Sequence, residues 1–332
     1  MAIDWTPLIT LIRDKQKFVL TSHVRPDADA IGSEVGLAGL LIQLGKDVRI
    51  VNPSATPNHL FFMDPEHRVQ CLGDGVTEEE VCQTDVHIVV DTSAWTQLGG
   101  MGKVLRTTPA KKVVIDHHLS SDDLGALELK DTKAEATGAL IFQLSQALGL
   151  TITPAEAMVL FCAIATDTGW YRFSSTTGET MRTAGKLIDL GASPHLIYHE
   201  LYEQITFARI QLTARVLKRV TLDCDGRLVY TSVNWSDFEE TGALPSETED
   251  LVNECLKICG TECAFIAVEQ RNRQIKISFR SRGGLNVASI AEQFSGGGHR
   301  QAAGALLQGP LNTAVTTVLA AMKTALAQHQ PE

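Results

Sequence analysis

Short apolar runs alternate with helix-patterned stretches through the first part of the chain. The runs Phe18 to Thr21, Val48 to Val51, Val86 to Val90 and Val113 to Ile115 are short and rich in β-branched residues, so each predicts a strand. Between the first two, Ile31 to Leu44 carries apolar residues at helical spacing and stops at Gly45, a residue suited to helix C-termini. The resulting β-α-β unit predicts an α/β fold, with a parallel sheet covered by helices on both faces. In such sheets ligands bind beyond the carboxyl ends of the strands, so the polar residues directly after each run are the place to look.

From Glu135 to about Lys218 the pattern is mostly helical, with Pro154 opening one helix and Gly191 with Pro194 separating two others. Beyond it, Val220 to Leu222, Leu228 to Val233, Ala264 to Glu269 and Ile275 to Phe279 read as strands. Glu247 to Ile258 and Asn286 to Phe294 read as helices. The expected organisation is a first domain over 1–205, a helical linker over 206–219 and a smaller α+β domain over 220–332. No internal repeat or low-complexity stretch interrupts it.

The composition is that of an ordinary globular protein: of 332 residues, 44% are hydrophobic and 20% charged. The N-terminal stretch carries no cationic leader before an apolar core, and no run approaches membrane-spanning length, so a cytoplasmic location is expected. The seven cysteines are an odd number, scattered, and fit reduced thiols. Cys255, Cys259 and Cys263 recur every four residues; they read as small buried hydrophobes at a helix end, because common zinc sites pair cysteines more closely. A net charge of −10 argues against a long nucleic-acid track, which needs many Lys and Arg contacts. It leaves room for a short anionic substrate held by metal ions and a few cationic groups.

The chemistry-bearing residues follow the strands. After the first run come His23, Asp27 and Asp29, one imidazole and two carboxylates on a strand-to-helix loop. Each alone could be a helix cap, but the cluster offers the mixed oxygen and nitrogen donors of a manganese-type site. The third run ends in Asp91, and the fourth in Asp116, His117 and His118. A helix of small residues, Ala163 to Thr166, ends in Asp167-Thr168-Gly169, where a carboxylate opposes the helix dipole unless a cation compensates it.

This series, H-x3-D-x-D, a strand-end D, D-H-H and D-T-G in that order, resembles the motifs of the DHH phosphoesterase family. Ser278 to Arg282 and the run Gly296-Gly297-Gly298-His299-Arg300-Gln301-Ala302-Ala303-Gly304 are similar to the domain that commonly follows that core and also occurs in alanyl-tRNA synthetases. The resemblance implies two divalent cations, manganese preferred and magnesium tolerated. His23, Asp27 and Asp91 would hold one, and Asp29, Asp91, His117 and Asp167 the other, with Asp91 bridging. Two cations ~3.5 to 4 Å apart can activate a shared water and bind phosphoryl oxygens, with no covalent enzyme intermediate. Asp116 then orients a ligand imidazole, and His118 contacts the phosphate or helps the leaving oxygen depart. Gly297, Gly298 and His299 would present donors to an anion, and Arg280 and Arg172 would clamp phosphate. Arg25 and Arg282 are weaker candidates.

Within the family, a pyrophosphatase would lack the GGGH element. Exonucleases of the RecJ type need an added module and a basic channel, and the membrane-bound cyclic-dinucleotide phosphodiesterases carry segments ahead of the core. The compact members remain. They are associated with hydrolysis of very short RNA to mononucleotides and with removal of the 3'-phosphate from adenosine 3',5'-bisphosphate. Hydrolysis of linear or cyclic dinucleotides is the alternative within the class, and a non-catalytic nucleotide- or tRNA-binding module the alternative outside it. The substrate is expected in a cleft between the domains, with no membrane partner; a homodimer is left open.

Overall fold

A computed structural model describes residues 3–329. The predicted strands form as expected, and their polar ends align because the strands run parallel. The order of elements is α1 (Thr6–Asp14), β1 (Lys17–Thr21), α2 (Ala28–Gln43), β2 (Asp47–Asn52), β3 (Val69–Cys71), α3 (Glu78–Cys82), β4 (Val86–Val90), α4 (Met101–Thr107), β5 (Lys111–Asp116) and β6 (Leu127–Lys130). Four further helices follow: α5 (Thr137–Leu148), α6 (Pro154–Asp167), α7 (Gly178–Asp189) and α8 (Pro194–Tyr202). The sheet order is β3-β2-β1-β4-β5-β6, with every pair parallel. The order reverses between β1 and β4. Chains leaving the top of those two strands turn opposite ways, which opens a crevice at their carboxyl ends.

Alternate residues of each strand feed different cores. Phe18, Leu20, Ile88, Val90, Val113 and Ile115 face α1, α2, α5 and α6, whereas Val19, Val51, Val89 and Val114 face α3 and α4. Helices therefore cover both faces. Helix α2 is buried on nearly all sides between sheet and α6, which its apolar circumference requires. Gly32 lets α6 approach: a Cβ there would lie 2.5 Å from the Val159 carbonyl oxygen.

The chain divides between Gln204 and Ile205 into two compact units. The second contains α9 (Phe207–Lys218), β7 (Thr221–Asp223), β8 (Leu228–Val233), α10 (Trp235–Thr241), α11 (Leu251–Cys255), β9 (Cys263–Glu269), β10 (Gln274–Ser281), α12 (Val287–Glu292), β11 (Gly297–His299), β12 (Ala302–Gln308) and α13 (Leu311–Gln328). Its sheet order is β11-β12-β10-β9-β8-β7; β8 and β9 pair parallel and the rest antiparallel. The segment 206–219 is chiefly helix α9, whose Leu212 and Val216 are buried in the core of this unit with Val229, Val233 and Ile266.

Three expectations need correction. The helix expected over Glu247 to Ile258 is broken: a short 3-10 turn at Pro245–Thr248 is followed by Asp250 at φ 64°, a left-handed residue that no α-helix accommodates, and only α11 remains. The strands β3, β6, β11 and β12 and the long helix α13 were not foreseen. The three periodic cysteines do not share a helix end, since Cys255 closes α11, Cys263 opens β9 and Cys259 between them is exposed. Among the described residues, no converging group of metal-capable donors includes a cysteine.

Candidate metal centre

Every strand-end residue singled out in the first unit lies at the carboxyl edge of the parallel sheet. His23 leaves β1, and Asp27 caps α2 by accepting from the backbone N–H groups of Asp29 (3.0 Å) and Ala30 (3.1 Å). Asp27 is thus a helix cap and also a member of the cluster. Asp91 follows β4 at φ 60°, a strained conformation for a non-glycine residue, costing about 1 to 3 kcal/mol. Its N–H still donates to the Ile115 carbonyl at 3.0 Å, so the sheet ladder holds it at the crevice.

Two imidazoles face this carboxylate from opposite sides. His23 Nε2 lies 3.4 Å from Asp91 Oδ2 and 3.9 Å from Asp27 Oδ1. His117 Nε2 lies 3.6 Å from Asp91 Oδ1, 3.8 Å from Asp29 Oδ2 and 3.4 Å from Asp167 Oδ2. In both rings Nδ1 meets a backbone carbonyl, Val24 O at 3.0 Å and Ala134 O at 3.2 Å. A carbonyl only accepts, so Nδ1 carries the proton and, in a neutral ring, the Nε2 lone pair points at the carboxylates. Oxygen and nitrogen donors that share a cation at ~2.1 Å stand ~3 to 3.5 Å apart, close to these separations. The donors form two triads, His23-Asp27-Asp91 and Asp29-His117-Asp167, and a third grouping of Asp91, His117 and His118.

The electrostatics favour the same cargo. Burial, and then the charges of Asp29, Asp27 and Asp167, push the Asp91 carboxyl well above the usual range. Burial raises Asp29 too, and it carries Asp167 to about 7, with the Asp29 charge adding to the effect. Packed carboxylates without cations nearby resist ionising together, and positive charge relieves them.

Sequence reasoning missed the groups that fix these carboxylates. The N-terminus of α5 grips Asp29: Thr137 N donates to Oδ2 at 2.7 Å and Gly138 N to Oδ1 at 2.8 Å. The Thr137 hydroxyl donates to Asp91 Oδ1 at 2.9 Å. Asn52 accepts from Ser22 N (2.9 Å) and donates to Glu34 (2.9 Å), which anchors the loop before His23 from below. The one local signal was a small polar residue opening a helix at Thr137.

Asp116 is fully buried and stands behind His118. Its Oδ1 accepts from His118 Nδ1 at 2.8 Å and from His118 N at 3.0 Å. Burial alone would raise Asp116, but hydrogen bonds from the His118 ring, from Ser93 and from the His118 N–H hold it well below the ordinary carboxylate range. The same hydrogen bond raises His118, against partial burial. With Nδ1 engaged, the Nε2 of this half-exposed ring is the end free to meet a ligand.

The remaining candidates are dispersed. In the first unit Arg172 donates from Nε to the Gly169 carbonyl at 2.6 Å, just beyond Asp167. Arg25 has φ 54° and its N–H donates to Ser54 Oγ at 2.7 Å. In the second unit His299, Ala302 and Arg280 occupy one cross-strand row over β11, β12 and β10, so their side chains share a face. Ser278 continues it on β10 in register with Gly304 and Gly297, and Lys276 follows opposite Leu306. Gly296 and Gly298 are required by close pairing with β12, since a Cβ on Gly298 would lie 2.5 Å from Ala302 O; only Gly297 has open space beside it. The Arg282 guanidinium donates to the Leu256 carbonyl, a structural engagement.

Residues 17–164 match the family described as DHH family, N-terminal domain, and residues 225–328 match the DHHA1 domain. The chain belongs to the DHH family of phosphoesterases. Within it, the chain is similar to the bifunctional oligoribonuclease and PAP phosphatase NrnA of Thermus thermophilus, with 31% identity over 92% of this chain and 89% of the relative. Its likeness to the protein of the same name from Bacillus subtilis is 28% over 90% and 92%. Among solved structures, an exopolyphosphatase-related protein from Bacteroides fragilis superposes with a TM-score of 0.87 at 26% identity, covering 97% of this chain and 95% of that one.

Proposed function

We propose that the chain is a divalent-cation-dependent hydrolase that cleaves very short RNA to mononucleotides and removes the 3'-phosphate of adenosine 3',5'-bisphosphate. The observation that carries the reading is the pair of imidazole Nε2 atoms turned toward four carboxylates at 3.4 to 3.9 Å. His23, Asp27 and Asp91 would hold one cation, and Asp29, Asp91, His117 and Asp167 a second. The imidazoles bias the site toward manganese over magnesium. Such cations supply charge neutralisation at a phosphoryl group and activate water for attack.

The chain's own residues do the rest. Thr137 and the α5 N-terminus hold Asp91 and Asp29 in place before any ligand arrives. His118, anchored by Asp116, presents Nε2 to the phosphate and donates a hydrogen bond to it or to the leaving oxygen. Arg172 in the first unit, and Arg280, His299 and the Gly297-Gly298 backbone in the second, serve as phosphate contacts, with open space beside Gly297 alone of the two glycines. The relatives' names, which pair oligoribonuclease with PAP phosphatase, support this substrate class. Seven unpaired cysteines fit a reducing compartment, the cytosol. Among the described residues no helix is long and apolar enough to cross a membrane.

The test is a substrate panel with manganese: a dinucleotide, RNA of about twenty nucleotides, adenosine 3',5'-bisphosphate, a cyclic dinucleotide and pyrophosphate. Fast release of mononucleotide from the dinucleotide, and of phosphate from the bisphosphate, is expected. Preference for the cyclic dinucleotide or pyrophosphate would replace the substrate assignment, and no hydrolysis at all would favour a binding module.

A further inference from the structure

One side chain outside the metal-donor cluster connects three segments of the active edge. Lys130 ends the edge strand β6 directly opposite Asp116 in the β5–β6 register. It is largely buried, at 12% exposure. Its Nζ lies 2.8 Å from Ser93 Oγ, 2.6 Å from the Ser120 carbonyl and 3.2 Å from Asp116 Oδ2. An ammonium has three protons and no lone pair, and these three acceptors use all of them. Ser93 has one proton. Two acceptors lie within its reach, Asp116 Oδ2 at 2.7 Å and the Ser120 carbonyl at 2.9 Å, and the charged and nearer carboxylate is the stronger. Oδ2 therefore accepts from Ser93 and Lys130, while Oδ1 accepts from the His118 ring and the His118 N–H. All acceptor directions of the carboxylate are filled, and it has no freedom to rotate.

We propose that Lys130 is a positioning residue for catalysis: it locks the loop after β4, the loop after β5 and the Asp116 carboxylate into one network, and thereby fixes the His118 ring toward the substrate phosphate. Lys130 touches no metal donor, so its removal leaves the cation site intact. Without Lys130 the Ser93 proton is free to turn to the Ser120 carbonyl 2.9 Å away, which leaves Asp116 with His118 as its one constant partner, and the pair can swing together. The inference rests on the phosphoesterase reading, through the part given there to His118.

The experiment compares wild type with Lys130→Met, Lys130→Arg and Ser93→Ala on a dinucleotide with saturating manganese, measuring kcat, KM, bound manganese and Tm. Lys130→Met should lower kcat roughly 10- to 100-fold, within the range that a misplaced proton donor costs, with KM and bound metal little changed. Lys130→Arg retains charge and donors and should recover much of the loss. Ser93→Ala should show a smaller fall in the same parameter. A Lys130→Met enzyme with wild-type kcat overturns the proposal, and so does a loss that follows bound metal or that Lys130→Arg does not relieve. Should Lys130→Met fail to fold, Lys130→Arg against Ser93→Ala decides: equal wild-type kcat in both overturns it. If wild type hydrolyses neither the dinucleotide nor adenosine 3',5'-bisphosphate, the functional reading itself falls.

Discussion

Asp29, Asp91 and Asp116 in the first unit are buried, and each accepts hydrogen bonds from backbone or side chains brought from distant segments. Arg280 in the second unit is half-buried, and His299 and Gly297 lie exposed on the edge strand β11. The difference separates two physical tasks. A site that concentrates carboxylates pays for their mutual repulsion and must be built rigidly around the charge it awaits. A face of exposed donors on an edge strand carries no such repulsion and forms at little folding cost.

The sharpest way to break that contrast is at Asp91. Asp91→Asn removes the charge that faces both His23 and His117, the position proposed to bridge the two cations, so kcat/KM should fall by roughly a thousand-fold or more, as when a principal electrostatic group is lost. The metal-free protein should keep its fold and its Tm, or gain slightly, because a carboxyl raised by burial and then by its acidic neighbours has been replaced by a neutral amide. Near-normal turnover with full metal occupancy would remove Asp91 from the bridging position. On the other side of the comparison, His299→Ala should lower kcat/KM on a dinucleotide by about 10-fold and leave bound metal unchanged. The same assays on RNA of two to about twenty nucleotides should show wild-type rates falling with length. A His299→Ala protein that loses metal would put His299 in the wrong site.

The two regions were not equally legible in the sequence. His23, Asp27, Asp29, Asp91, His117 and Asp167 could be read because each lies at the end of a β-branched run, on the loop and first helical turn after one, or at the end of a small-residue helix, and parallel strands bring such ends to one edge. The supports were hidden. Thr137 meets Asp91 across 46 residues of chain, and Lys130 meets Ser93 across 37, so neither neighbourhood carries a local sign of the contact. Two of the strands were missed for a related reason. Val69–Cys71 is only three residues long, and Ala302–Gln308 is rich in alanine and glycine, whose strand state depends on pairing with β10 rather than on propensity. The glycine run shows the converse, since an apparent anion motif at Gly296 and Gly298 also answers a packing demand from β12.

A smaller effect concerns pH. In the metal-free protein Asp167 sits at about 7, raised by burial and by the Asp29 charge, while in the unfolded chain it returns to the ordinary carboxylate range near 3.8. Between those values the folded state binds the extra proton, so metal-free stability should fall as pH rises from about 4 to 7. Added manganese removes the penalty. The Tm increase on adding manganese should therefore be larger at pH 8 than at pH 5.5, by a few degrees. Equal increases at both pH values would mean that Asp167 is not relieved by the cation.

The most direct test of the two-cation site is a manganese titration of exhaustively chelated protein, followed by dinucleotide hydrolysis at each step. The arrangement around Asp91 predicts no turnover without metal and a plateau reached at about two bound ions per chain. Full turnover after chelation, or a plateau at a single ion with Asp29, His117 and Asp167 individually dispensable, would contradict it.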